Sequence, residues 1–248
     1  MKKICLITAL ALLTVFSKAQ QKYEHVNQLW FGYYSNIKMN RRFSINSDFQ
    51  GRTANWNERW SQVLGRAGLA YRFNDKFSFT LGFADFVYFD AGNKVTRNEY
   101  RPWSEFAMSD FFNSWKISHR FRMEHRNFDP VVNDALTGKI SSNYRFRYKV
   151  EFQRLIWSKP GSEQSLHVQL SNEIMINAGK AIVYNYFDQN RTAVSLLYVL
   201  NRKFSFQLQY MNIFQQLSVG TTFDQVNVIR FNIYHTINFS GDDGNTAK

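Results

Sequence analysis

The run Arg120-Phe-Arg-Met-Glu-His-Arg126 sets Arg120, Arg122, Glu124 and Arg126 two residues apart, with Phe121 and Met123 between them. On a helix, residues two apart lie about 200° around the axis, so these charges would reach every face. On a strand they share one face and leave the other to the apolar residues. The pattern returns over 144–154, where Arg145, Arg147, Lys149, Glu151 and Gln153 alternate with Tyr144, Phe146, Tyr148, Val150 and Phe152. That length suits one tilted strand crossing a bilayer, which takes about 9–11 residues. A sheet that is aromatic on one side and charged on the other describes a wall between lipid and a polar lumen.

Residues 1–19 read as a cleaved export signal: Lys2 and Lys3, an apolar stretch over 4–16, then Ser17-Lys18-Ala19 before Gln20. The stretch is short for a helix spanning a hydrocarbon core of about 30 Å. Cys5, the only cysteine, lies at the start of that stretch rather than at a lipoprotein position. The mature chain therefore has no thiol for a disulfide, a nucleophile or a metal site. Beyond the leader no long apolar segment occurs, and the mean hydropathy is −0.41. Aromatic residues nevertheless make up 17%, with 24 Phe and only three Pro. Inward polar residues that dilute outward apolar ones give a barrel this balance. A secreted β-sandwich also alternates, but it would seldom place four or five charges on one strand face.

Loss of Lys2, Lys3 and Lys18 takes the formal charge from +12 to +9. The arginines alternate with aromatics inside strands instead of clustering on a helix or tail, so nucleic acid is not an expected partner. Outer-membrane lipid and pairing inside the lumen are.

Alternation predicts strands over residues 28–37, 43–52, 62–73, 77–89, 98–109, 115–126, 142–154, 165–177, 191–200, 204–215 and 225–239. The connections alternate between short (38–42, 74–76, 110–114, 158–164, 201–203) and long (53–61, 90–97, 127–140, 178–190, 216–224), as in outer-membrane barrels. Eleven is odd where single-chain bacterial barrels are even, which suggests a further strand near 20–27. The expected fold is all-β: a single-domain antiparallel transmembrane β-barrel of about 12 strands (10–12) over 20–240, with a loose tail over 241–248.

Several pieces resemble the outer-membrane family catalogued as domain of unknown function 2490. They are Leu69-Ala-Tyr71 before a short turn, Asn98-Glu-Tyr-Arg-Pro-Trp103, the Arg120–Arg126 run, Asn172-Glu-Ile-Met-Ile176, and Phe187-Asp-Gln-Asn-Arg191 leading into a strand. The resemblance spans most of the mature chain and implies an outer-membrane barrel with no known activity.

The interior candidates are Asp48, Arg52, Arg66, Glu99, Arg101, Glu105, Arg120, Arg122, Glu124, Arg126, Arg145, Arg147, Lys149, Glu151, Glu173, Arg191 and Arg230. Buried charges must pair, so Glu99, Glu124, Glu151 and Glu173 are each expected beside arginines, with Glu151 compensating Arg147. Such a network reads either as a salt-bridged plug or as a positive lumen that passes anionic small solutes. The leading functional reading is non-enzymatic: a small-solute channel of the Gram-negative outer membrane, or a structural partner of other envelope proteins. The alternative is a lipid-modifying outer-membrane hydrolase assembled from Ser118-His119, His125, His167, Ser171 and His235, though no Gly-x-Ser-x-Gly elbow occurs. His119 and His125 are six apart on the outward face, a poor metal site, and no cofactor or metal is expected. Trp115 and Trp157 flank short turns as interfacial aromatics would, and Trp56 and Trp60 fall in a long loop.

Overall fold

A computed structural model describes residues 22–218 and 222–239. The expected export signal (1–19) and loose tail (241–248) lie outside them. Twelve strands follow in chain order: β1 (Lys22–Lys38), β2 (Phe43–Ala54), β3 (Arg59–Arg72), β4 (Phe77–Phe89), β5 (Val95–Phe112), β6 (Trp115–Val132), β7 (Ala135–Leu136), β8 (Ser141–Ser158), β9 (Ser165–Ala178), β10 (Phe187–Val199), β11 (Phe204–Gln216) and β12 (Thr222–Asn238). Each pairs with its sequence neighbour, except that β6 pairs with β8 and the two-residue β7 sits beside β6 as an appendage. The β5–β6 and β1–β12 pairings close a barrel of eleven staves.

An odd ring cannot alternate in direction all the way round. One seam must be parallel, and it is β1–β12, in register from Lys22↔Thr222 to Lys38↔Asn238. The antiparallel expectation holds at every other seam. No separate strand occupies residues 22–27; they lengthen β1. The strands also run further at the long-loop end than alternation indicates. β6 continues to Val132, and β10 already begins at Phe187. The connections there shrink to residues 55–58, 90–94, 133–134, 137–140, 179–186 and 217–221, so the two ends differ less than expected.

Three turns at the other end repeat one device. Asn40, Asn74 and Asn201 each accept, through the side-chain oxygen, the backbone N–H groups two and three residues on, at 2.8–3.0 Å. The residue that closes each turn is a phenylalanine, Phe43, Phe77 or Phe204, which opens the next strand. An asparagine side chain that mimics a backbone turn explains why these connections are short.

Side chains alternate across the wall. Phe31, Phe49, Leu81, Phe83, Phe121, Phe146, Leu170, Leu196, Leu208 and Phe231 stand exposed on the outside. The outer face also carries one polar row, Asn172–Thr192–Asn212–Asn227–Asn27, which crosses five strands in register. Its side chains satisfy one another: Asn172 donates to Thr192 at 2.9 Å, Asn212 to Asn227 at 3.1 Å and Asn227 to Asn27 at 3.3 Å.

Register also fixes the tilt. Paired interior residues run Arg97–Tyr88–Gln62–Arg52–Trp30–Arg230–Gln209–Ser195–Gln169–Gln153–Lys116 around the barrel. The row re-enters β5 at Phe111, fourteen residues beyond Arg97 (111 − 97 = 14). At ~3.3 Å per residue and ~4.8 Å between strands, that stagger tilts the staves by about 40°. One row therefore descends about 30 Å along the axis, from Arg97 at the long-loop end to Lys116 at the short-turn end.

The interior is not uniformly polar. Trp30, Ala193, Met211, Ile213, Val226 and Val228 form one buried apolar cluster, and Leu64, Ala84, Phe86 and Trp103 another. Trp103 lies flat against the paired glycines Gly68 and Gly82; a Cβ at Gly82 would come within 2.3 Å of its ring and 2.5 Å of the Ala67 carbonyl oxygen. Gly82→Val is therefore expected to destabilise the barrel by about 1–3 kcal/mol through overpacking. At Gly65 a Cβ meets nothing within 4 Å, and Gly65→Ala is expected to stay within about 0.5 kcal/mol of the parent. Urea unfolding of the two variants in one detergent checks the difference.

Candidate functional site

The charges divide the interior into two walls. On β5, β6, β8 and β9 most of them are paired, while Arg97 lies over the Tyr88 and Phe128 rings. Glu99, wholly buried, accepts from Arg101 Nε and Arg126 Nε at 2.5 Å each and from the Tyr88 hydroxyl at 2.6 Å. Arg101 continues to Glu124 at 3.5 Å. Glu124 then enters a closed ring of alternating sign. Arg147 bridges Glu124 (2.6 Å) and Glu173 (2.9 Å), Arg120 bridges Glu173 (2.6 Å) and Glu105 (3.6 Å), and Arg122 bridges Glu105 (2.6 Å) and Glu124 (3.9 Å). Three guanidinium groups also lie over aromatic rings: Arg101 over Phe86 at 3.6 Å, Arg122 over Trp103 at 4.3 Å and Arg126 over Phe128 at 4.6 Å. Strand parity places each of these groups inside, and the rings supply apolar support that charge alternation does not reveal.

The expected Arg147–Glu151 pair does not form, and Arg145 finds a partner that alternation did not indicate. Glu151 pairs with Lys149 at 2.6 Å rather than with an arginine. Arg147 is satisfied by Glu124 and Glu173 and not by Glu151, because cross-strand neighbours face each other more closely than residues four apart along one strand. Arg145 turns to Asp188 at 2.8 Å, a residue assigned to a loop until β10 is seen to start at Phe187. On the neighbouring wall Arg66 holds Asp48 with two parallel hydrogen bonds at 2.9 and 3.0 Å.

The facing wall, on β1, β2, β3, β10, β11 and β12, is rich in amides. Arg52, Arg191 and Arg230 stand there with Gln50, Gln62, Gln189 and Gln209 around Trp30. Trp30 could not be assigned from alternation, because β1 carries aromatics on both faces: Trp30 and Tyr34 on one, Phe31 and Tyr33 on the other.

Between the walls lies a cavity of about 820 Å³, lined among others by Arg97, Arg101, Arg126, Arg145, Arg147, Arg191 and Arg230. A second space of about 460 Å³ lies at the short-turn end, lined by Arg72, Lys76, Lys116 and Ser118. Arg120 and Lys149 line both.

The hydrolase parts do not assemble around His119. Ser118 points inward and His119 outward, where its Nδ1 lies 2.8 Å from the Tyr148 hydroxyl. His125 stacks on Tyr144, and His235 meets Tyr33 at 2.7 Å. Among the described residues, His167 alone has a serine hydroxyl in hydrogen-bond contact: Ser165 Oγ is 3.1 Å from Nε2, with Gln153 Nε2 3.3 Å from Nδ1. Among the described residues no group of three His, Cys, Asp or Glu side chains is placed to hold a metal ion. Trp60 belongs to β3, not to a loop, and its ring covers Gly51; Trp56 stays exposed at a backbone φ of 62°.

No curated protein matches the chain. Among solved structures, a NanC porin in a rhombohedral crystal form is similar over 84% of this chain and 98% of that one, with 13% identity and a TM-score of 0.45. Residues 27–224, from β1 into β12, match the family described as Protein of unknown function (DUF2490). The chain belongs to that family.

Proposed function

We propose that the chain is an outer-membrane β-barrel that passes small anionic solutes without catalytic chemistry. The observation that carries this reading is that two open spaces, one lined by short-turn residues and the other by long-loop residues, share Arg120 and Lys149 in their walls. The rest of the wall supports it. A tilt of about 40° and a span of about 30 Å suit a bilayer, and the exposed apolar rows suit lipid. Eight staves leave room only for side chains and sixteen leave an open channel, so eleven fall between. Arg120 and Lys149 are themselves paired with Glu173, Glu105 and Glu151, so the excess positive charge that favours anions stands in the larger cavity, at Arg52, Arg191 and Arg230.

Purified protein in planar bilayers under a salt gradient tests this. Discrete conductance steps are expected, with a reversal potential on the anion side. Lys149→Glu, which sets a second carboxylate beside Glu151, is expected to reduce the anion preference by roughly half. Absence of conductance at every voltage removes the channel reading and leaves the barrel as a structural partner of other envelope proteins.

The lipid-hydrolase reading has one observation in its favour, the Ser165–His167–Gln153 contact. It faces the interior rather than the lipid-facing surface, and an amide N–H at Nδ1 does not supply the acceptor that a catalytic histidine needs there. Release of labelled acyl chains from phospholipid, abolished by His167→Ala, would displace the channel reading.

A further inference from the structure

Trp30 points from β1 into the larger cavity, and three guanidinium groups crowd its ring: Arg52 at 3.8 Å from the centroid, Arg191 at 5.4 Å and Arg230 at 5.8 Å. Nearby carboxylates are engaged elsewhere: Asp48 by Arg66, Asp188 by Arg145, and Glu173 by Arg147 and Arg120. The three arginines instead hydrogen-bond to neutral acceptors. Arg52 donates to Gln62 at 2.6 Å and Gln50 at 3.2 Å, Arg191 donates to Gln189 at 2.9 Å, and Arg230 donates to the Tyr34 hydroxyl and to Gln50. The Nε atoms of Arg52 and Arg230 are buried and have no acceptor at all.

We propose that this cluster is a binding site for a small anion carrying two or more negative charges, presented as phosphate or as carboxylates. Three like charges beside one ring repel, and two unused buried donors add a desolvation cost. The repulsion is relieved when an anion enters the cavity. A guanidinium fork matches the paired oxygens of phosphate and carboxylate alike, and stacking on Trp30 holds the Arg52 fork toward the cavity. A single negative charge would leave most of the excess uncompensated, which is why the occupant carries more than one. On the wall opposite, Arg120 and Arg122 also have a donor atom without a hydrogen-bond partner, but each guanidinium lies within ion-pair distance of two carboxylates. Arg97 stands singly over the Tyr88 and Phe128 rings. Three guanidinium groups without a carboxylate partner among the described residues meet at Trp30, where binding is concentrated. The site rests on the channel reading for its access route, and it turns general anion passage into selection of particular solutes.

Calorimetric titration of the full protein in detergent micelles at low ionic strength, with inorganic phosphate and with citrate, tests it. Saturable binding of at least one of the two is expected, with chloride weaker by at least tenfold. Binding of phosphate alone or of citrate alone identifies which chemistry the solute carries. The double variant Arg52→Gln/Arg230→Gln is expected to weaken binding at least tenfold, whereas Lys116→Gln at the far mouth leaves it unchanged. The gel shift between boiled and unboiled samples verifies that each variant still forms the barrel. Should the double variant not form it, Arg52→Lys keeps the charge but loses the fork, and a several-fold weakening is expected there. Failure of both probes to saturate, or binding that the arginine changes leave intact, overturns the site. Conductance of the same preparation separates the two claims: current without saturable binding keeps the channel and removes the site, and binding without current does the reverse.

Discussion

Glu99→Gln is expected to destabilise the barrel by roughly 3–5 kcal/mol, because it strands buried positive charge. The carboxylate has no solvent exposure and serves Arg101, Arg126 and Tyr88 at once. Arg101 retains Glu124 at 3.5 Å, but Arg126 has no other carboxylate partner among the described residues. Most of the loss should therefore pass through Arg126, and Glu99→Gln/Arg126→Gln is expected to recover more than half of it. A double-mutant cycle on urea midpoints in one detergent reads both values. Asp110→Asn provides the contrast: its pair with Lys76 is more than half exposed at the short-turn end, where water screens it, and little change in the urea midpoint is expected. Equally small effects at Glu99 and Asp110 would mean that water fills the paired wall, contrary to its geometry.

The strands were legible because full charges alternating with aromatics have only one regular solution. Each of the eleven strands read from alternation appears, though the further one expected near 20–27 does not, and the 120–126 and 144–154 runs face as their parity requires. Closure was not legible. Whether eleven staves close by a twelfth or by one parallel seam depends on hydrogen bonds between β1 and β12, some two hundred residues apart, and neither strand's pattern encodes its partner's direction. Loop lengths were overestimated where polar residues such as Asn127, Asp188 and Gln189 continue strands, since an inward or hydrogen-bonded position tolerates them as well as a loop does. In the interior, the residue types were readable and the partnerships were not. Arg147 and Glu151 look like a pair along β8, but neighbouring strands bring Glu124 and Glu173 closer. The aromatic floor under the arginines, Phe86, Trp103 and Phe128, was hidden because aromatics occupy both faces of this wall.

Leu170 and Ser171, adjacent near the middle of β9, give the most direct test of which face meets lipid. Leu170 stands exposed in an outward row that runs Ile117–Phe152–Leu170–Val194–Tyr210–Ile229–Leu29 across seven strands. Ser171 lines the larger cavity and pairs in register with Glu151. Arginine at either position adds the same charge and the same final side chain, so the contrast reports chiefly on the surroundings. In a bilayer, Leu170→Arg is expected to cost about 2–4 kcal/mol if the row lies near the midplane, as a guanidinium replaces a lipid contact. Ser171→Arg gains the Glu151 carboxylate and open space, and is expected to cost under about 1 kcal/mol. Reversible folding into phospholipid vesicles measures both. The gap should also shrink toward either interface, so the corresponding changes at Leu166 and Ser165, at the short-turn end of the same strand, are expected to differ by less than about 1 kcal/mol. Equal tolerance of arginine at 170 and 171 would show that the apolar rows do not face hydrocarbon, and the membrane reading would fall with them.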